Sequence, residues 1–180
     1  MSRAFVNEDL QSEAQAELPE RPQSEHPNYV TPQGLASLER RLATLVAERS
    51  ALSDDADEMR GEAARQRIDR NARYLSVRID RAILVDPGAQ PRDEVAFGAS
   101  VCVCDADGEE CVFAIVGEDE ADAAVGKVSW VSPLASALLG ARIDDVVTWR
   151  RPNGSVDLEI LSIDYAPPAA SPSLEGDSDS

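Results

Sequence analysis

Three aspartates stand within four positions, Asp54, Asp55 and Asp57, in the stretch SALSDDADEM of residues 50–59, and Glu58 follows directly. Carboxylates are hard oxygen ligands of the kind that Mg²⁺ prefers. The three also repel one another, a cost that a cation or a basic surface relieves. A flexible loop offers no octahedral cage, so no stable metal and no cofactor are expected on the free chain. The plain alternative is a solvated turn between two helices.

The cysteines suggest less. Cys102 and Cys104 alternate with Val101 and Val103, and Cys111 is close by. Small, reduced strand residues account for them. A zinc site would need a fourth ligand, and the only histidine, His26, lies far off in a polar segment.

Two apolar repeats flank the acidic stretch and must position it. Thr31 suits a helix N-cap with Pro32 at the first helical position. Leu35, Leu38, Leu42, Leu45 and Leu52 then follow a 3–4 spacing broken at Arg49. After the aspartates the period resumes at Ile68, Ala72, Leu75, Ile79 and Ala82, until VDPG stops the helix. Two stripes joined by a short polar link predict an antiparallel helical hairpin over residues 29–87. The seam weakens at Gly61 and Arg65, beside the acidic tip.

Residues 88–92 read as a linker and residues 93–165 as a small α+β domain. ASVCVC and CVFAIVG flank DADGEE, a hairpin with Gly108 in its turn. KVSWV is a third strand. SPLASALLG is a short helix with Ser132 as N-cap, Pro133 first and Gly140 at the stop. DVVTWRR and SVDLEILSIDY are two further strands joined at PNG. An antiparallel sheet wrapped on one helix is expected. Residues 1–28 and 166–180 are rich in Glu, Gln, Ser and Pro without an apolar period, and both are expected to be disordered.

The 180-residue chain carries a formal net charge of −17. Such a surface repels nucleic acid at long range, which argues against tight, sequence-independent DNA binding by the whole chain. No apolar run is long enough to cross a membrane, and the N-terminus lacks the apolar core of a signal peptide. A cytoplasmic monomer without a membrane partner is expected.

From Tyr29 to Tyr165 the sequence resembles the Gre family of bacterial transcript-cleavage factors. YVTPQGLASLERRL is similar to the start of the family's hairpin, and IDRNARYL through ILVDP to the end of its second helix. FGASV, IVGEDEAD and GKVSWVSPLASALLG resemble C-terminal signatures in the family's order and spacing. The resemblance implies a coiled-coil hairpin followed by an FKBP-like domain. It implies bacterial RNA polymerase as the partner, met at its secondary channel. Backtracked RNA, or DNA, would be met only inside the elongation complex. The tip carboxylates would help hold a shared Mg²⁺ while the polymerase cuts the RNA. An ungapped match places Ser53, Asp54, Asp55 and Ala56 on the family's Ser-Glu-Asn-Ala, and Ala51 on its aspartate. The hairpin is about two heptads shorter than the family's, or roughly 10 Å per helix if the loss is shared.

By the same resemblance, Val131, Ser132 and Pro133 would dock on the polymerase, although helix capping alone also explains Ser-Pro. Arg67, Arg70 and Arg73 would face RNA or the channel wall. They belong to a run with Arg60, Arg65, Arg78 and Arg81 that also reads as a solvated face. Three further readings stand beside the elongation factor. They are a channel-binding regulator that does not cut, a prolyl isomerase suggested by the FKBP-like fold alone, and a coiled-coil oligomer.

Overall fold

The structure, a computed structural model, describes residues 19–52 and 58–165. Two compact units divide them. One holds residues 35–82 with the segment up to Pro27, and the other holds residues 28–34 and those from 83 onward.

The first unit is built on α1 (Pro32–Ala51) and α2 (Glu58–Asp80). At 20 and 23 residues they run about 30 and 35 Å at the helical rise. Leu38 and Leu75 are fully buried at 1% and 2% exposure. Leu35, Leu42, Leu45 and Leu52 are half-buried. Arg41, Thr44 and Leu45 of α1 line one small cavity with Asn71 and Leu75 of α2, so the seam closes within the chain. Arg49, which interrupts the leucine spacing, donates to Asp69 across the hairpin at 3.0 Å. That pair is exposed and adds little stability.

Two expectations for this first unit need correction. The second helix stops at Asp80, and Ala82–Leu84 is a short strand instead. The segment ahead of the hairpin is also placed from residue 19 onward, where a tail was expected. Glu20 accepts a hydrogen bond from Arg73 Nε at 2.8 Å. Arg21 lies over the Tyr74 ring, 3.9 Å from its centroid. Specific charge and cation–π contacts hold a segment that has no apolar period.

The second unit contains β1 (Asn28–Val30), β2 (Ile83 and Leu84 of Ala82–Leu84), β3 (Ser100–Asp105), β4 (Glu110–Val116), β5 (Lys127–Ser129), α3 (Pro133–Leu138), β6 (Val146–Arg151) and β7 (Gly154–Asp164). Five of the strands form one sheet in the order β5-β4-β3-β7-β6. Gly108 turns the β3–β4 hairpin at φ 82°, and the Asp105 carboxylate accepts from the Asp107 and Glu109 amides there, each at 3.0 Å.

The sheet is not antiparallel throughout. β5 runs parallel to β4, because the chain between them crosses back through two 3-10 turns, Glu118–Glu120 and Ala123–Val125. Val101, Val103, Ile115, Leu158 and Ile160 line one face and bury Leu134, Ala135 and Leu138 of α3. Tyr165 closes the core. Its phenol accepts from the Ala96 amide at 2.7 Å and donates to the Glu94 carbonyl at 2.6 Å. The architecture is thus α+β, a helical hairpin followed by a curled mixed sheet on one short helix. No helix among the described residues is long and apolar enough to cross a membrane.

Candidate functional site

The loop before α3 is built by capping. Ser132 Oγ accepts from the Ala135 amide at 3.1 Å, and Pro133 takes the first helical position, where it has no amide to leave unpaired. The Ser132 amide donates to the Ser129 carbonyl at 2.9 Å, which tightens the approach from β5. Pro133 is exposed, and Val131 and Ser132 are half-buried. The three expected docking residues therefore present one edge of the domain.

Beside them lies an open groove of about 490 Å³. Phe113 and Trp149 line it, their rings edge-on with centroids 6.3 Å apart. Ala121, Ala123, Gly126, Ser132 and Pro133 also line it. The strand alternation explains the aromatic floor. Phe113 stands opposite Val101 in the β3–β4 ladder, so it shares the core face of the sheet just past the helix.

Sequence reasoning found no role for Glu120. In the structure its carboxylate accepts from the Thr31 amide at 2.9 Å and from the Thr31 hydroxyl. It also accepts from the Gly117 amide at 3.3 Å. Thr31 Oγ1 in turn accepts from the Gly34 amide at 3.0 Å, the N-cap bond expected for α1. A partner 89 residues away leaves no trace in local spacing.

Asp54, Asp55 and Asp57 lie outside the described residues. Among the described residues no group of His, Cys, Asp or Glu could hold a metal ion. The arginines do not form one open strip. Arg67 is exposed, Arg70 is half-buried, and Arg73 is engaged by Glu20. Arg78, counted with them in the sequence, is 3% exposed. All three cysteines are free thiols. Desolvation holds the Cys104 thiol above its ordinary pKa, helped by the carboxylates of Glu110, Asp105 and Glu159, so its reactive thiolate is suppressed.

Comparisons with known proteins point to one family. Residues 90–165 match the family model described as transcription elongation factor, GreA/GreB, C-term. A transcription elongation factor GreB of Neisseria meningitidis serogroup A is 38% identical over 157 residues, covering 79% of this chain and 96% of that protein. The GreB of Yersinia pestis is 36% identical over 154 residues, covering 78% of this chain and 90% of its own length. The solved prokaryotic transcription elongation factor GreA/GreB from Nitrosomonas europaea is 24% identical, with a TM-score of 0.39 and coverage of 77% and 99%. In the Neisseria comparison, 79% of 180 residues is set against 157, so roughly fifteen positions of that relative have no counterpart here. With near-complete coverage of relatives well above 30% identity, the chain belongs to the GreA/GreB family.

Proposed function

We propose that the chain is a transcription elongation factor that binds bacterial RNA polymerase at the secondary channel and regulates elongation from within it. It is an accessory factor acting on the polymerase's own active site. The observation that carries this reading is the 38% identity spanning 96% of a relative named as an elongation factor. The capped loop at Ser132 and Pro133 supplies a preformed edge for docking, and the hairpin supplies the arm. At the tip, Asp54, Asp55 and Asp57 are the residues whose oxygens suit a Mg²⁺ shared with the polymerase, and that ion would supply charge stabilisation during RNA cleavage.

A second reading, occupation of the channel without cleavage, is favoured by the shorter match. If the roughly fifteen missing positions fall in the hairpin, each helix loses about 10 Å of reach. Metal ligation works at about 2.1 Å, so a tip that stops several ångströms short does not ligate. A transcript-cleavage assay on stalled, backtracked complexes, run beside a polymerase-binding assay, separates the two. Binding with cleavage supports the first reading. Binding that alters elongation without cleavage supports the second. Absence of binding at low salt removes both.

A further inference from the structure

The groove beside α3 is apolar, open and aromatic-floored, and its natural occupant must match those features. Phe113 and Trp149 present their rings, and Ala121 and Ala123 add only methyl groups. Lys127 is the charged side chain among the lining residues, and Arg151 stands over the Trp149 ring at 5.0 Å from its centroid. Proline-containing segments dock in aromatic-lined grooves of this kind, because proline ordering costs little entropy. These two cations offer partners to an acidic continuation, beside the Asp122 carboxylate, which is already engaged by the Ala124 amide at 3.0 Å.

The chain carries such a segment itself. Residues 166–180, APPAASPSLEGDSDS, lie outside the described residues. They place Pro167, Pro168 and Pro172 ahead of Glu175, Asp177 and Asp179, with no basic residue. The starting point of this segment is fixed by the two hydrogen bonds of Tyr165. The ladder gives the distance to the near wall of the groove, at Lys127. Asp164 stands opposite Ser100, Ser100 opposite Ala114, and Ala114 opposite Lys127 on the groove wall. Three strand spacings come to about 14 Å. At about 3.3 Å per extended residue, the prolines fall roughly 7 to 23 Å beyond Tyr165, on both sides of that distance.

We propose that residues 166–180 occupy this groove in the same molecule, prolines against Phe113 and Trp149 and the acidic end towards Lys127 and Arg151. A second copy is the poorer occupant, because two chains of net charge −17 repel. Tethering also makes the intramolecular fit easy, since a short linker gives an effective concentration in the millimolar range. A segment that binds only at about millimolar strength in trans is therefore substantially docked in cis.

The test uses the full chain labelled with 5-fluorotryptophan. It gives two resonances, from Trp130 and Trp149, assigned with the Trp130→Phe variant. Replacing Pro167, Pro168 and Pro172 together with Ser should move the Trp149 resonance and leave Trp130 nearly in place. A synthetic peptide of residues 166–180, added to that variant at millimolar concentration, should restore the parent position. An unmoved Trp149 resonance overturns the proposal. So does a parent Trp149 resonance that depends on protein concentration, which would assign the groove to a second copy. Equal movement of both resonances also overturns it, because the change would then be general to the domain.

Discussion

The Glu120 carboxylate closes on Thr31, taking both its amide, at 2.9 Å, and its hydroxyl. This contact leaves no room for a side chain at position 34 in the first turn of α1. A Cβ on Gly34 would sit 2.0 Å from the Glu120 carboxyl carbon. Because that carbon is the end of a flexible side chain, Gly34→Ala would evict the carboxylate and not break the helix. Hydrogen bonds to a charged group contribute about 1.5–3 kcal/mol, while Gly to Ala in a helix gains about 1 kcal/mol. We expect Gly34→Ala to destabilise the chain slightly and Glu120→Ala to destabilise it more. In the Glu120→Ala background, Gly34→Ala should become stabilising. Denaturant midpoints of the four proteins measure the sign reversal, and a stabilising Gly34→Ala in the parent would show the contact to be idle.

The hairpin seam gives a graded expectation. Leu75 is 2% exposed, so Leu75→Ala should cost about 2–5 kcal/mol. Leu42 obeys the same sequence spacing but is only half-buried, and Leu42→Ala should cost clearly less. Denaturation, with hydrogen exchange across α1, provides the comparison. Equal losses would mean that Leu42 is covered by something beyond the two helices.

These residues show what was legible in the sequence. Local chemistry was read well. Thr31 and Ser132 cap the helices expected of them, Gly108 turns the expected hairpin, and the apolar alternation set most strand positions. Long-range pairing was not legible. The parallel β4–β5 pair depends on a crossover through two short turns, and neither turn carries an apolar period. Glu120 looked like one acid among several in IVGEDEAD. Arg73 and Arg78 were read together as surface from charge alone; Arg73 is exposed and paired with Glu20, whereas Arg78 is buried. Charge indicates that a residue needs water or a partner, without saying which.

Tyr165 predicts how the domain responds to alkali. Burial raises its phenol above the ordinary value of about 10, and the nearby Glu94 and Asp93 add to the effect, against the Ala96 hydrogen bond. The folded chain thus holds this proton more tightly than the unfolded chain. Its contribution is full below the ordinary tyrosine pKa and is lost as pH rises through the raised one. Stability should fall over that interval, and Tyr165→Phe should flatten the fall. The same variant should lose stability at neutral pH, because the Ala96 amide and Glu94 carbonyl lose their partner. Equal alkaline slopes in variant and parent would assign the transition to another group.

Capping and docking at Ser132 can be separated by the choice of substitution. Ser132→Ala removes the acceptor for the Ala135 amide and should cost about 0.5–2 kcal/mol of stability. Ser132→Asp keeps an acceptor suited to an N-cap but adds charge and bulk at the groove edge. If this loop meets the polymerase, Ser132→Asp should weaken polymerase binding while its melting temperature stays near the parent's. A folded Ser132→Asp variant that competes for polymerase as well as the parent does would remove the loop from the interface.

The acidic tip is the last point on which the proposed function turns. A solvated turn needs one or two polar residues, whereas residues 54–57 hold three aspartates. Their mutual repulsion is a cost that a metal shared with the polymerase would relieve under the proposed function. Affinity and action should therefore separate. Replacing Asp54, Asp55 and Asp57 together with Ala should leave polymerase affinity within about tenfold, or about 1.4 kcal/mol, because the proposed docking loop lies in the other unit. The effect on transcription should vanish, whether that effect is RNA cleavage or a change in elongation rate. Both quantities can be measured on the same stalled complexes. A triple variant that retains full transcriptional activity would reduce the stretch to a connecting turn.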